Sequence, residues 1–323
     1  MHVQSQTGIN QAHSAMKQAV TSERGLDAGR FQEASSMLGS DKLTVRQAGV
    51  LMLGELIEKN HDDYLDLATQ TLWTFIKEQS NKDTTPAIKR DVQTALTVLS
   101  KIDLKSSLDH QANSNVIETI NLFGVNLQGA NLSGYNLTNF DLSNAVLVNA
   151  NLNSSILTDA KMVSSFLTEA DLSEANLTNA NLENSDFRSA KLTSTLISNA
   201  NLDGSDLENA NLEHANLQNS SVMHANLDNA KLISADLRNV DLWGSYLNIA
   251  DLRNANLANA NLYAANLSNA NVKYANFTNA VLSKTDLDGV DLNDAIGLTY
   301  AQLSEAINVD EDYLQNLKTT DNF

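Results

Sequence analysis

The chain contains no cysteine and a single proline, and only 5% of its 323 residues are aromatic. The absence of cysteine excludes a disulfide framework, cysteine-ligated zinc sites and thiol nucleophiles. No stretch approaches the roughly 18 consecutive apolar residues of a membrane-spanning helix, and residues 1–20 lack the basic flank and apolar run of a signal peptide. We therefore expect a cytoplasmic protein that does not insert into a membrane.

Positive charge is also scarce. The net charge is -18, and -11 of it belongs to residues 120–294. Contacts with nucleic-acid phosphates need clustered Lys and Arg side chains. We therefore expect no direct binding of nucleic acid.

What the sequence does contain is leucine at every fifth residue. From Leu122 to Leu292 this step gives 35 positions, of which 29 are Leu and the others are Met, Phe, Ile or Val. Two residues before each of them, 21 of the 35 residues are Ala. A period of five fits neither an α-helix nor a plain strand. If the chain turns once per pentad, however, each Leu and the Ala two residues before it point inward, and the other three residues point outward.

A second period of 20 residues predicts four sides per coil. The last residue of every fourth pentad is Asn at seven of eight positions, namely Asn139, Asp159, Asn179, Asn199, Asn219, Asn239, Asn259 and Asn279. Asn tolerates turn conformations, so we interpret this series as a column of corner residues. The 35 pentads then make nearly nine coils, and a spacing of ~4.8 Å between coils gives a rod ~42 Å long.

Pentads such as Ala-Asp-Leu-Ser-Glu at residues 170–174 and Ala-Asn-Leu-Ala-Asn at residues 255–259 resemble the pentapeptide repeat protein family. The resemblance covers 175 residues without a break. It implies a mainly β fold, a right-handed quadrilateral β-helix. It implies no particular function, because one fold supports many functions.

Apolar residues at helical spacing between Thr44 and Ile102 predict an α-helical domain over residues 1–110, followed by a linker at 111–119. One helix is predicted to begin at a capping box of Thr44 and Gln47, and another to be capped by Thr85. This stretch resembles HEAT-type helical motifs and the helical region that precedes the repeats in some bacterial members of the family.

The repeat domain is assigned to residues 120–297, and residues 298–323 are predicted to form short capping helices and a tail. Thr299 and Gln302 form a capping box, and Asp310 is placed to cap a second helix. Some relatives dimerise through this end, so the resemblance also implies a homodimer. Capping alone is the other interpretation.

The sequence predicts no catalytic, cofactor-binding or metal-binding site. Its six His residues are dispersed without a His-x-x-x-His pair, and no glycine-rich phosphate-binding motif is present. The acidic residues of the repeat fall at outward positions, which is typical of solvated surface charges. We therefore expect a protein that is not an enzyme and needs no cofactor.

Two outward surfaces are candidate binding sites. Apolar side chains follow the central residue in three consecutive coils, at Met223, Trp243 and Tyr263, with Tyr246 and Ile249 around the adjoining corner. Exposed apolar patches often mark partner sites. Stacking between coils could equally explain this ladder, because neighbouring side chains also stabilise a sheet.

The second surface is one side of the coil with a summed charge of -6. Its acidic residues, offset only by Arg188, are Glu169, Asp186, Asp206, Glu208, Asp228, Asp286 and Asp288. The resemblance to quinolone-resistance members of the family implies that such a face mimics duplex DNA and binds DNA gyrase. DNA carries one charge per ~1.7 Å of its axis, so the mimicry here would be dilute.

These observations lead to two functional hypotheses. The first is a non-enzymatic bacterial interaction protein that binds a protein partner through outward side chains of the β-helix and through the N-terminal helices. The alternative is a DNA mimic that binds a type II topoisomerase, DNA gyrase, and modulates it or protects it from quinolones.

Overall fold

The computed structural model describes residues 23–59, 62–81, 88–102 and 119–320. The chain divides into two compact units, residues 1–76 with 89–102, and residues 77–88 with 103–323. The predicted linker at 111–119 lies outside the described residues except for its last residue, so the predicted domain boundaries stay predictions.

The first unit is built from helices. Residues 23–38 form α1, and α2 (Leu43–Glu58), α3 (Asp62–Ser80) and α4 (Arg90–Leu99) follow, with the end of α3 in the second unit. Apolar residues of all four helices are buried, among them Leu38, Leu53, Leu72 and Leu96. Among the described residues, no helix is long and apolar enough to cross a membrane.

One predicted helix start is wrong, and another lies outside the described residues. The N-cap of α2 is Lys42, which makes no side-chain capping bond, so the predicted capping box at Thr44 is wrong. The helix begins at Leu43, so Thr44 lies inside its first turn and not at the capping position before it. Thr85 lies outside the described residues, while α4 begins at Arg90.

A buried ion pair joins α2 to α4. The Nε atom of Arg46 lies 2.5 Å from the Oδ2 atom of Asp91, a carboxylate with no exposed surface. The same guanidinium donates to the carbonyl oxygen of Ser40, at 2.9 Å. Such a pair fixes the packing of the two helices because either partner left alone would be a buried, uncompensated charge. The HEAT-like character of these helices stays a prediction.

The second unit is a solenoid whose coils repeat every 20 residues. Isolated parallel bridges join the second residue of nearly every pentad to the residue 20 positions later, as in Asp186 with Asp206 and Asp206 with Asn226. Within each pentad the chain turns, since the N–H of Ala210 donates to the carbonyl oxygen of Leu207 at 2.9 Å. Each pentad makes only a single-residue bridge because a turn follows at once. The inward Leu and Ala side chains form the continuous core.

Left-handed residues occupy the corners, and not only on the predicted Asn column. The last residue of nearly every pentad has φ between 54° and 70°, as in Asn179, Glu174 and Ser189. What distinguishes the Asn column is a side-chain ladder, in which the amide of Asn239 donates to Asn219 at 3.0 Å. The second residue of the pentad also supports the turn, because its side-chain oxygen accepts a backbone N–H two residues later. The N–H of Glu208 donates to Asp206 in this way, at 3.1 Å.

Both helix starts that were predicted near the C-terminus are confirmed. Helix α5 (Tyr300–Leu303) begins at the capping box of Thr299 and Gln302, and the N–H of Tyr313 in α6 (Glu311–Thr320) donates to Asp310 at 2.8 Å. The side-chain amide of Gln302 also donates to the carbonyl oxygen of Phe277, at 2.9 Å. It also donates to the carbonyl oxygen of Ala280, at 3.0 Å, in place of the backbone N–H of a further coil, which such a carbonyl accepts elsewhere in the solenoid. The predicted homodimer through this end stays a prediction.

Candidate partner-binding surface

Met223, Trp243 and Tyr263 lie side by side on consecutive coils. The backbone places them there: the N–H of His224 donates to the carbonyl oxygen of Trp243 at 2.9 Å, and the N–H of Gly244 donates to that of Tyr263 at 3.0 Å. Trp243 keeps 41% of its surface exposed, and its two neighbours are partly buried. The structure therefore brings the three predicted ladder residues together.

Tyr246 and Ile249 belong to the next side of the coil, immediately after the corner at Gly244. Tyr246 is bridged to Asn226 and to Asn266 in the neighbouring coils, which sets the position of its ring. The exposed fractions are 52% for Tyr246 and 61% for Ile249. We call the five residues Met223, Trp243, Tyr246, Ile249 and Tyr263 the aromatic patch.

One residue of this surface was missed by sequence reasoning. The ring of His224 packs against Trp243, with ring centroids 4.6 Å apart and planes inclined by 59°. The indole is thus supported on one side while it stays open to solvent. The glycine one coil later was an available signal. A Cβ atom at Gly244 would lie 2.8 Å from the Nδ1 atom of His224, so a larger residue there would displace this ring.

A lysine contacts the far end of the ladder. The Nζ atom of Lys284 lies 5.2 Å from the centroid of the Tyr263 ring. Within this distance an ammonium group is attracted to the face of an aromatic ring. A hydrogen bond with the Tyr263 side chain raises the pKa of Lys284. The surface therefore already holds one cation against an aromatic ring.

Ile249 is the unusual residue of the aromatic patch. It occupies a corner at φ 60°, and among the described residues it is the one β-branched residue with positive φ. A β-branched side chain is strained in this region, whereas Asn and Gly accept it readily. Burial does not offset the strain, because most of the side chain is exposed. Neither conformation nor packing of the coil favours Ile at this position.

The predicted acidic face is less uniform than its summed charge indicates. Arg188 donates to both carboxylate oxygens of Asp186, at 2.9 and 2.6 Å, and lies 3.6 Å from Asp206. These hydrogen bonds from Arg188 are the main cause that lowers the pKa of Asp186. The amide of Asn308 donates to Asp286 at 2.8 Å.

The acidic face is also interrupted along the axis of the solenoid. Glu169, Asp186, Asp206, Glu208 and Asp228 occupy consecutive coils, but the next two pentads on this side, residues 245–249 and 265–269, contain no acidic residue. Asp286 and Asp288 follow only after this gap. Tyr246 and Ile249 lie within the gap, so the aromatic patch and the acidic face adjoin. Among the described residues, no group of three or more His, Asp or Glu side chains could hold a metal ion.

The family model for pentapeptide repeats matches the solenoid in eight copies. The matched residues are 120–159, 167–204, 205–244, 235–273, 260–296 and 273–307, which together make up more than half of the chain. No curated protein matches the chain.

Solved structures of pentapeptide repeat proteins are also similar to this chain. HetL from the cyanobacterium Nostoc, a protein involved in heterocyst differentiation regulation, is 33% identical over 60% of this chain and 90% of its own, with a TM-score of 0.31. A thylakoid-lumen protein of Arabidopsis thaliana is 25% identical over 40% of this chain and 74% of its own, with a TM-score of 0.20. QnrB1, a plasmid-mediated fluoroquinolone resistance protein, is 16% identical over 64% of this chain and 86% of its own, with a TM-score of 0.29.

Proposed function

This chain belongs to the pentapeptide repeat family, and from that premise we propose that it is a non-enzymatic interaction protein that binds a protein partner through the aromatic patch. The proposal includes the finer features of the fold, a right-handed rod of nearly nine coils. Exposed aromatic side chains at the centre of a contact surface contribute most of the affinity in many protein complexes. The aromatic patch offers such side chains on a surface that is otherwise polar.

The observation that carries the proposal is Ile249, which is strained and exposed at once. A residue held in an unfavourable backbone region generally costs on the order of 1 kcal/mol or more, and such residues cluster at functional sites. Because the coil gains nothing from Ile at this corner, a contact outside the chain is the simplest reason for it. The interpretation of the ladder as stacking alone does not account for Ile249.

Rigidity supports the same function. The backbone of the aromatic patch is bonded to both neighbouring coils, as where Tyr246 donates to Ala225 at 2.9 Å and Leu247 donates to Asn266 at 2.7 Å. A surface that is already ordered loses little conformational entropy when a partner binds. The solenoid therefore presents the aromatic patch in a fixed geometry.

The substitution Ile249→Asn tests the proposal. We expect it to raise the free energy of unfolding by about 1 kcal/mol, because Asn relieves the left-handed strain. We also expect it to weaken partner binding, because an apolar contact is lost. Urea denaturation measures the first effect. The yield of covalent adduct from a photoreactive residue at Met223, in lysate of the native host, measures the second.

Asn209→Ile provides the reciprocal control, because Asn209 occupies the same corner two coils earlier at φ 59°. It should lose about 1 kcal/mol of stability for the same reason and leave the adduct yield unchanged. A more stable Ile249→Asn variant with an undiminished adduct yield would rule out the aromatic patch as the binding surface.

The acidic face supports the alternative, a DNA mimic that binds DNA gyrase. Five of its acidic residues follow one another on consecutive coils before the gap, as the phosphates of a duplex do. The pairing of Arg188 with Asp186 weakens the likeness, since it neutralises part of the face. An assay of supercoiling by purified gyrase, with and without a quinolone, distinguishes this function from the first.

A further inference from the structure

We infer that the partner segment that binds the aromatic patch is basic and aliphatic, with Arg or Lys side chains between apolar ones. This inference rests on the proposed function and deepens it, because it specifies the chemistry of the partner. Three observations carry it: the charge of the sides that hold the aromatic patch, the way in which the bordering carboxylates are held, and the cation that already lies on Tyr263.

Charge is distributed unequally around the solenoid. The two sides that hold the aromatic patch contain, over residues 180–269, seven acidic residues and the single base Arg188. The acidic residues are Glu183, Asp186, Asp203, Asp206, Glu208, Asp228 and Asp241. The other two sides contain, over residues 190–279, three acidic and five basic residues. A partner that approaches the aromatic patch therefore meets a negative potential, which favours a basic surface.

Three carboxylates border the aromatic patch, and neutral groups hold them in place. Asp203 accepts a hydrogen bond from the Ser221 hydroxyl at 2.6 Å. Asp228 accepts one from the Asn248 amide at 2.7 Å, and Asp241 accepts one from the Asn261 amide at 2.9 Å. Neutral donors orient a carboxylate without cancelling its charge. The carboxylates are therefore fixed and still negative.

Carboxylates on the other two sides are held differently. Asp236 is paired with Arg238, and Asp251 with Arg253, each at 2.7 Å between the guanidinium and the carboxylate. Each pair lies within one pentad, so the charge of each of these carboxylates is compensated by the adjacent guanidinium group. The carboxylates beside the aromatic patch therefore keep their negative charge, and Lys284 adds one positive charge at the Tyr263 end.

The rings themselves favour a cation over an anion. Lys284 already lies over Tyr263, which indicates that a ring of this surface accommodates an ammonium group. Trp is the best of the aromatic side chains for such contacts, and Trp243 keeps 41% of its surface exposed while His224 packs against its ring. An Arg or Lys of the partner can contact the open rings and a bordering carboxylate together. Its aliphatic neighbours then pack on Ile249 and Met223.

Peptide binding to a chain with one tryptophan tests the inference. The chain has two Trp residues, so Trp73→Phe leaves Trp243 as the sole reporter. Three short synthetic peptides serve as probes, one of alternating Arg and Leu, one of Arg and Ser, and one of Glu and Leu. We expect the Arg-Leu peptide to change the fluorescence of Trp243 saturably and to bind about ten-fold or more tightly than either control.

Charge removal gives a matched pair of variants in the same background. The double substitution Asp228→Asn with Asp241→Asn removes two charges beside the aromatic patch. It should lower the affinity for the Arg-Leu peptide about ten-fold. Asp236→Asn with Asp251→Asn removes the same net charge from the other sides, and should change the affinity less than about two-fold. Asn keeps an acceptor oxygen at each position, so the turns should survive, and circular dichroism checks that they do.

The outcomes separate this inference from the proposed function. Three outcomes would each overturn the inference of a basic partner. The Glu-Leu peptide could bind as tightly as the Arg-Leu peptide, both pairs of variants could lower the affinity equally, or the Arg-Leu peptide could fail to bind. If the adduct yield at Met223 still depends on Ile249 in those cases, the interaction surface stands and only the chemistry of its partner is wrong. If neither the preference for the Arg-Leu peptide nor the dependence of the adduct yield on Ile249 is observed, both proposals are wrong.

Discussion

Replacing Leu217 by Ala should lower the free energy of unfolding by about 3 kcal/mol, as for other fully buried leucines. Leu217 has 0% of its surface exposed, and the inward column continues with the buried residues Ile197 and Leu237 in the neighbouring coils. Truncation removes apolar contacts and leaves a cavity that a close-packed core cannot close. Urea denaturation followed by circular dichroism measures the loss.

Leu196→Ala provides the matched control. Leu196 is bridged to Asn216, the residue before Leu217, yet its side chain is 44% exposed. The same chemical change should therefore alter stability by less than about 1 kcal/mol, as for most surface substitutions. Similar losses for the two variants would contradict the assignment of inward and outward positions.

Replacing Trp243 by Ala should lower the affinity for the partner that is captured through Met223 by about 30-fold, which corresponds to about 2 kcal/mol. Trp243 is the largest side chain of the aromatic patch and lies between Met223 and Tyr263 in the ladder. Its removal exposes His224 and leaves the neighbouring apolar side chains incompletely covered in the complex. Calorimetric titration of the purified pair measures the affinity.

Tyr274→Ala is the control for this prediction. Tyr274 is also aromatic and is 50% exposed, but it lies on a different side of the coil. We expect its removal to leave the affinity unchanged within about two-fold, as for residues outside the centre of an interface. If Tyr274→Ala weakens the complex as much as Trp243→Ala does, the aromatic patch has no special role.

Much of the solenoid could be predicted because it follows from two periods. The Leu at every fifth residue specifies the inward positions, and the 20-residue spacing specifies which outward residues become neighbours. These two rules are enough to predict that Met223, Trp243 and Tyr263 are neighbours. The capping box at Thr299 was also predictable, since it depends only on local sequence.

Features that depend on side-chain rotamers or on backbone angles could not be predicted in the same way. The stacking of His224 on Trp243 requires the room that Gly244 leaves, and a period does not encode this. The strain at Ile249 follows from the finding that nearly every corner, and not the Asn column alone, is left-handed. The capping box at Thr44 failed because a four-residue pattern cannot fix the start of a helix to within one residue.

The acidic face shows how a summed charge can mislead. The sum already subtracts Arg188, but it does not show that this one guanidinium contacts both Asp186 and Asp206, so that the negative charge is lowered at one point of the face. The sum also ignored position along the axis, and the gap at residues 245–269 divides the face. A sequence provides the number of charges on a side, whereas the local potential depends on which of them are paired.

Both proposals depend on residues 20 positions apart being neighbours, and engineered cysteines test this most directly because the chain has none of its own. Thr158→Cys with Thr178→Cys places two thiols on adjacent coils, where the backbones are ~4.8 Å apart and a disulfide fits. Thr178→Cys with Thr193→Cys places them on different sides of the coil. We predict rapid oxidation of the first pair and none of the second. Oxidation of the second pair instead would mean three pentads per coil and would contradict the shared ladder of Met223, Trp243 and Tyr263.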